Sequence, residues 1–173
     1  MLLDYVAYAE KHNLPITPFT AHDIPVSVLK DIATEQGATF QPGDILLVRS
    51  GFVRGYEALS QAEREAMAER PPTFAGVQAG RETLQWLWEN QFSAVAGDAI
   101  AFERAPVSGP DAAPETLHQW LLAGWGCPIG EMFYLEKLAD KCRELGRWSF
   151  FVSSMPLKVP GGVASPPNAV AIF

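Results

Sequence analysis

The chain has 173 residues, 48% of them hydrophobic and 19% charged, a balance that belongs to folded globular proteins and excludes the disordered class. The net charge of −7, with no cluster of Lys and Arg, excludes the electrostatic footprint of a nucleic-acid or anionic-membrane binder. At this length one domain over residues 1–173 is expected. No apolar run reaches the roughly 18 to 20 residues that cross a bilayer. The start, Met-Leu-Leu-Asp-Tyr, lacks the basic head and cleavage site of a secretory signal. A cytoplasmic protein is therefore expected, and its two cysteines, Cys127 and Cys142, read as buried thiols.

Taken in order, Leu2, Leu3, Val6 and Ala9 fall on one side of a helical wheel, and the run stops at Asn13 and Pro15, which predicts an opening helix. His12 sits at its polar end. Thr17 to Asp23 is a loop by composition, and the neighbours His22 and Asp23 point in different directions if the loop is extended. Ser27 is a candidate cap for a helix with the stripe Val28, Leu29, Ile32 and Ala33, closed by Gly37. After the turn Gln41-Pro42-Gly43-Asp44, the continuous run Ile45 to Val48 predicts a strand covered on both faces. Arg49, Ser50 and Gly51 stand where the chain leaves that strand. Arg49 suits either a bidentate grip on a substrate carboxylate or a structural ion pair.

Ser60-Gln61-Ala62-Glu63 has the capping-box pattern and opens a surface helix through about Arg70, before Pro71 and Pro72. Thr83, Leu84, Leu87 and Trp88 predict an amphipathic helix from Gly80 to Asn90. Phe92 to Asp98 reads as a buried strand with Asp98 at its exit, placed as Arg49 is. Asp98 is a pocket candidate, or a cap for the turn that follows. A loop, Ala105 to Pro114, leads to the segment Leu117 to Glu131, which carries His118 in a helix-like run, a Gly-Trp-Gly break, and a carboxylate. His118 and Glu131 can hold a divalent metal between them. They can equally be a packed histidine and a carboxylate at the start of the next helix, whose stripe is Leu135, Leu138, Cys142 and Leu145, with Gly146 beyond it. Strands are expected at Trp148 to Val152 and Ala169 to Phe173, joined by a Gly- and Pro-punctuated connection.

Gly43 to Phe52, Gly97-Asp98, Leu117-His118 with Pro128-Ile129-Gly130-Glu131, and Pro156 to Gly162 with Ser165-Pro166-Pro167 resemble, in order and spacing, segments of the cyclase family. That family of metal-dependent hydrolases includes bacterial kynurenine formamidase, the arylformamidase of tryptophan catabolism. The resemblance runs over residues 1–173. It implies an α/β fold of the swivelling β/β/α kind, mixed sheets with helices outside, assembled as a dimer or tetramer. It also implies zinc or manganese as cofactor, a small amide, formamide or ester as substrate, and His118 and Glu131 as metal ligands. The family's N-terminal His-x-Gly-Thr-His-x-Asp motif has no counterpart here, so the chain looks like the C-terminal part of such a protein. A catalytic zinc ordinarily takes three protein ligands. The expectation therefore divides three ways: a fold that has lost hydrolysis, a site completed by a partner chain, or a pocket used for metal-free binding through Arg49, Asp98, His118 and Glu131.

Overall fold

A strand that is apolar at every position has to be covered on both faces, and the molecule is layered accordingly. The computed structural model describes residues 1–110 and 112–173; Asp111, inside the predicted 105–114 loop, lies outside the described residues. In chain order the elements are β1 Leu2–Asp4, α1 Tyr5–Lys11, β2 Asp23–Ile24, α2 Val26–Glu35, β3 Ile45–Arg49, α3 Phe52–Ala58, α4 Gln61–Ala68, β4 Gly76–Val77, α5 Arg81–Glu89 and β5 Ala94–Gly97. A π-helical segment, Gln119–Trp125, is followed by β6 Ile129–Gly130, α6 Glu136–Leu145, β7 Phe151–Ser153 and β8 Val170–Ile172.

The central sheet is parallel, in the order β1-β3-β5-β6. Successive side chains leave a strand on opposite faces. Leu3, Leu46, Val48 and Val95 go to the larger core with α2 and α5, and Leu2, Leu47 and Ala96 go to the smaller one under α6. Each fully buried Leu, Ile or Val contributes roughly 1.5–3 kcal/mol. The double coverage of Ile45–Val48 is thus the main anchor of the fold. Two further pairings flank it, β2 with β4 in parallel and β7 with β8 antiparallel. The architecture is the expected mixed α/β one. Among the described residues no helix is long and apolar enough to cross a membrane. Cys127 and Cys142 are buried and free.

Several local expectations give way to tertiary context. Leu2 and Leu3 are strand, not helix, because both are wholly buried on opposite faces of the sheet, and a surface helix buries only one face. The second helix starts one residue before Ser27, with Pro25 at its cap position and no side-chain cap bond. The capping box of Ser60 and Glu63 forms in full, and α5 lies between Gly80 and Asn90; Thr83, Leu84 and Leu87 of its predicted stripe are buried, but Trp88 is exposed and Trp86 is buried instead. Glu131 does not open a helix. It follows β6, and the acidic residue in the first turn of α6 is Glu136.

Candidate functional site

In a parallel sheet the strands all end at one edge, and side chains there converge on the crevice beyond it. Asp4, Arg49, Asp98 and Glu131 stand at or just past the carboxyl ends of β1, β3, β5 and β6 respectively. The structure sorts them into three groups.

Arg49 is 5% exposed and fully engaged. Its Nη1 donates to Asp4 Oδ1 at 2.8 Å, and its Nε donates to Glu136 Oε1 at 2.9 Å with Nη2 on the other oxygen. Burial alone would push the guanidinium pKa down, but the bonds to Glu136 and the charge of Asp4 outweigh it and raise it. Of the two sequence readings of Arg49, this geometry is the structural ion pair.

Asp98 is wholly buried. It accepts from the backbone N–H of Ser50 at 2.6 Å, the Ser50 hydroxyl at 2.8 Å and the N–H of Gly51 at 2.9 Å. It therefore ties the exit of β5 to the exit of β3, across the sheet rather than along its own turn. Burial pushes its carboxyl pKa up against the pull of these donors. Neither Arg49 nor Asp98 bonds to His118 or Glu131.

His118 and Glu131 do come together. Leu117 and Leu121, both buried in the larger core, pin the segment that begins the π-helical stretch, and Gly126, with φ 65°, turns the chain back toward β6. His118 Nε2 then lies 2.9 Å from Glu131 Oε1. Just before Glu131, Gly130 lets the Phe133 ring and Ala96 pack close: a Cβ there would stand 2.7 Å from the ring and 2.9 Å from Ala96 Cβ.

The third member is Glu103, which sequence reasoning missed. It is 1% exposed, and both of its oxygens serve His118: Oε2 lies 2.7 Å from Nδ1, and Oε1 accepts the His118 backbone N–H at 3.0 Å. Its backbone is held by a parallel bridge to Val77 and by the close approach of Gly76, where a Cβ would meet Glu103 C at 2.4 Å. The one signal available was a lone carboxylate in the otherwise apolar run Ala99-Ile100-Ala101-Phe102-Glu103. The bond to Glu103, helped by its charge and by Glu131, raises the His118 pKa against the effect of burial.

His118 and Glu131 are of the donor types zinc takes; their Nε2 and Oε1 stand at hydrogen-bond distance, 2.9 Å, and as two ligands of one tetrahedral ion with bonds near 2.0–2.2 Å they would stand about 3.4 Å apart. The donor set fits such an ion as two of its ligands. Among the described residues no group of three or more His, Cys, Asp or Glu side chains is arranged to hold a metal. Glu131 also lines a groove of about 280 Å³ with Phe133, Tyr134, Leu138, Phe150 and Val170. A larger hollow of about 880 Å³, walled by Phe19, Phe52, Met67 and Phe74, contains neither His118 nor Glu131. Among the described residues, Glu131 is the one charged side chain lining the smaller groove, and through it the groove adjoins His118.

The other two histidines lie outside this cluster. His12 pairs with Glu35 at 2.6 Å, and His22 meets the Tyr5 hydroxyl at 2.8 Å while its neighbour Asp23 accepts from Arg104.

The Cyclase family model matches residues 9–104, a span that includes Arg49, Asp98 and Glu103 and ends before His118. A solved structure described as a novel cyclase superposes with a TM-score of 0.82 at 32% identity, covering 99% of this chain and 52% of that one. An isatin hydrolase bound to the product analogue thioisatinate superposes with a TM-score of 0.67 at 17% identity, covering 98% of this chain and 57% of that one. The second likeness is one of fold. This chain thus spans about half the length of the solved structures it matches. No curated protein matches it.

Proposed function

The chain belongs to the cyclase family, and from that premise we propose that it serves a metal-dependent hydrolase acting on a small amide, formamide or ester, with His118 and Glu131 as ligands of a zinc or manganese ion. The observation that carries the reading is the 2.9 Å approach of His118 Nε2 to Glu131 Oε1 at the carboxyl edge of the sheet.

A divalent ion bound there would supply Lewis acidity, polarising a carbonyl and making water a nucleophile near neutral pH. The chain's own residues prepare the place. His118 would offer its Nε2 lone pair, and Glu131, with a side chain 36% exposed, would offer a carboxylate oxygen within reach of solvent and ligand alike. Phe133, Tyr134 and Phe150 line the adjoining groove and suit a flat aromatic substrate, while Ser50 and Gly51, held by Asp98, keep the neighbouring strand end rigid. Remaining coordination positions fall to water or to groups from another chain.

The test is titration of the purified protein with zinc and with manganese, followed by hydrolysis assays on N-formylkynurenine and isatin. Binding that His118→Ala removes, with turnover of either compound, supports the reading. Metal binding indifferent to His118→Ala, or none at all, sinks it.

A second reading is favoured by the arm formed by β7 and β8, where Phe151 is 68% exposed and Met155 is 76% exposed. A lone two-stranded ribbon is marginal in water, and contiguous apolar exposure marks a contact surface. In this reading the chain is a self-associating binding module, with a second copy of itself covering the arm.

A further inference from the structure

We propose that Glu103 is the positioning residue of this site: it keeps the N–H of neutral His118 on Nδ1, so that the Nε2 lone pair stays free for a divalent cation shared with Glu131. The proposal rests on the metal reading of His118 and Glu131 for its purpose, though not for its geometry.

Two carboxylates compete for the single N–H of a neutral imidazole, one at each ring nitrogen, and their surroundings decide between them. Glu103 is 1% exposed, and its second oxygen is already fastened to the His118 backbone N–H at 3.0 Å. Glu131 has a side chain 36% exposed and reaches Nε2 at 2.9 Å. A buried carboxylate that loses its donor has no water to turn to, whereas an exposed one is solvated at little cost. The N–H therefore goes to Glu103 at 2.7 Å. Carboxylate on one ring nitrogen and metal on the other is the arrangement by which proteins orient a ligating histidine and raise its basicity.

The backbone of Glu103 is held on both sides. It is bridged to Val77, with the Val77 N–H donating to Phe102 O and the Arg104 N–H to Val77 O, both at 3.0 Å. The neighbouring residue, Gly76, leaves no room for any side chain against it.

Glu103→Gln separates charge and acceptor geometry from packing, because the amide has the same shape. Its one oxygen must accept the His118 backbone N–H, which cannot change its character. Its NH₂ then faces Nδ1 and requires a lone pair there, and the ring proton moves to Nε2.

The experiment reads the tautomer directly, by long-range ¹H–¹⁵N NMR of the imidazole in metal-free protein at a pH where the ring is neutral. It is paired with calorimetric titration of Zn²⁺ into wild type, Glu103→Gln and His118→Ala. Expected are an Nδ1–H tautomer in wild type, an Nε2–H tautomer in Glu103→Gln with an unchanged circular dichroism spectrum, and zinc affinity about 10- to 100-fold weaker in that variant. A wild-type Nε2–H tautomer overturns the proposal, and so does a Glu103→Gln protein with tautomer and zinc affinity unchanged. Should Glu103→Gln fail to fold, the wild-type tautomer alone decides. Should zinc binding be indifferent to His118→Ala, the metal reading fails by itself, and the tautomer still upholds or overturns the positioning role.

Discussion

Arg49 is the residue whose loss the fold should feel most. Removing one partner of a buried ion-pair network leaves uncompensated charge, a cost of about 3–5 kcal/mol. Arg49→Ala, leaving Asp4 and Glu136 facing each other across a void, is expected to lower stability by about that much. Urea denaturation measures it, and a loss under about 1 kcal/mol would mean that water reaches the gap. His118 makes the opposite kind of contribution, one set by pH. Its folded pKa is raised, chiefly by the bond to Glu103, so the folded state binds the proton more tightly than the unfolded state does. The resulting stabilisation is fully present below the unfolded value, about 6.5, and is lost as pH rises through the higher folded value. With chelator present, the stability gap between wild type and His118→Gln should therefore shrink as pH rises. A gap that widens would show that the ring is not charged in the fold.

At the scale of elements, caps and close approaches matter more than charge. Ser60 accepts from the Glu63 backbone, and Glu63 accepts in return from Ser60. Ser60→Ala should cost about 0.5–2 kcal/mol, confined to the exposed helix α4 and without effect on the site. Gly76→Ala should act at a distance from its own position. A methyl group 2.4 Å from Glu103 C forces β4 and the 103–105 segment apart, and overpacking of this kind costs about 1–3 kcal/mol or more. The displaced Glu103 should then release His118, seen as loss of the Nδ1–H signal. An unperturbed imidazole in that variant would show that the segment is held from elsewhere. Element legibility followed length. The stripe of α5, the capping box of α4 and the run Ile45–Val48 were all readable, because each repeats a pattern over several residues. The two-residue strands β2, β4 and β6 carry no period at all, and α3 follows Gly51 without a signal that separates it from a turn.

For the whole molecule, the arm of β7 and β8 sets the expectation. With Phe151, Met155 and Val163 at 68%, 76% and 105% exposure, sedimentation should show a self-associated species that Phe151→Glu shifts toward monomer. A wild-type monomer at high concentration would remove the case for a second copy on this surface. What the sequence by itself determined was the set of burial patterns: a strand covered on both faces, amphipathic helices, one of them with its capping box, and a histidine and a glutamate thirteen positions apart with a glycine break between them. Only the tertiary structure decided the partners. Arg49 meets Glu136 across 87 positions, Asp98 reaches Ser50 across 48, and Glu103 holds His118 across 15. Periodicity records that a side chain is buried, because burial follows the geometry of one element. It does not record against what, because that depends on the order in which β1, β3, β5 and β6 lie side by side.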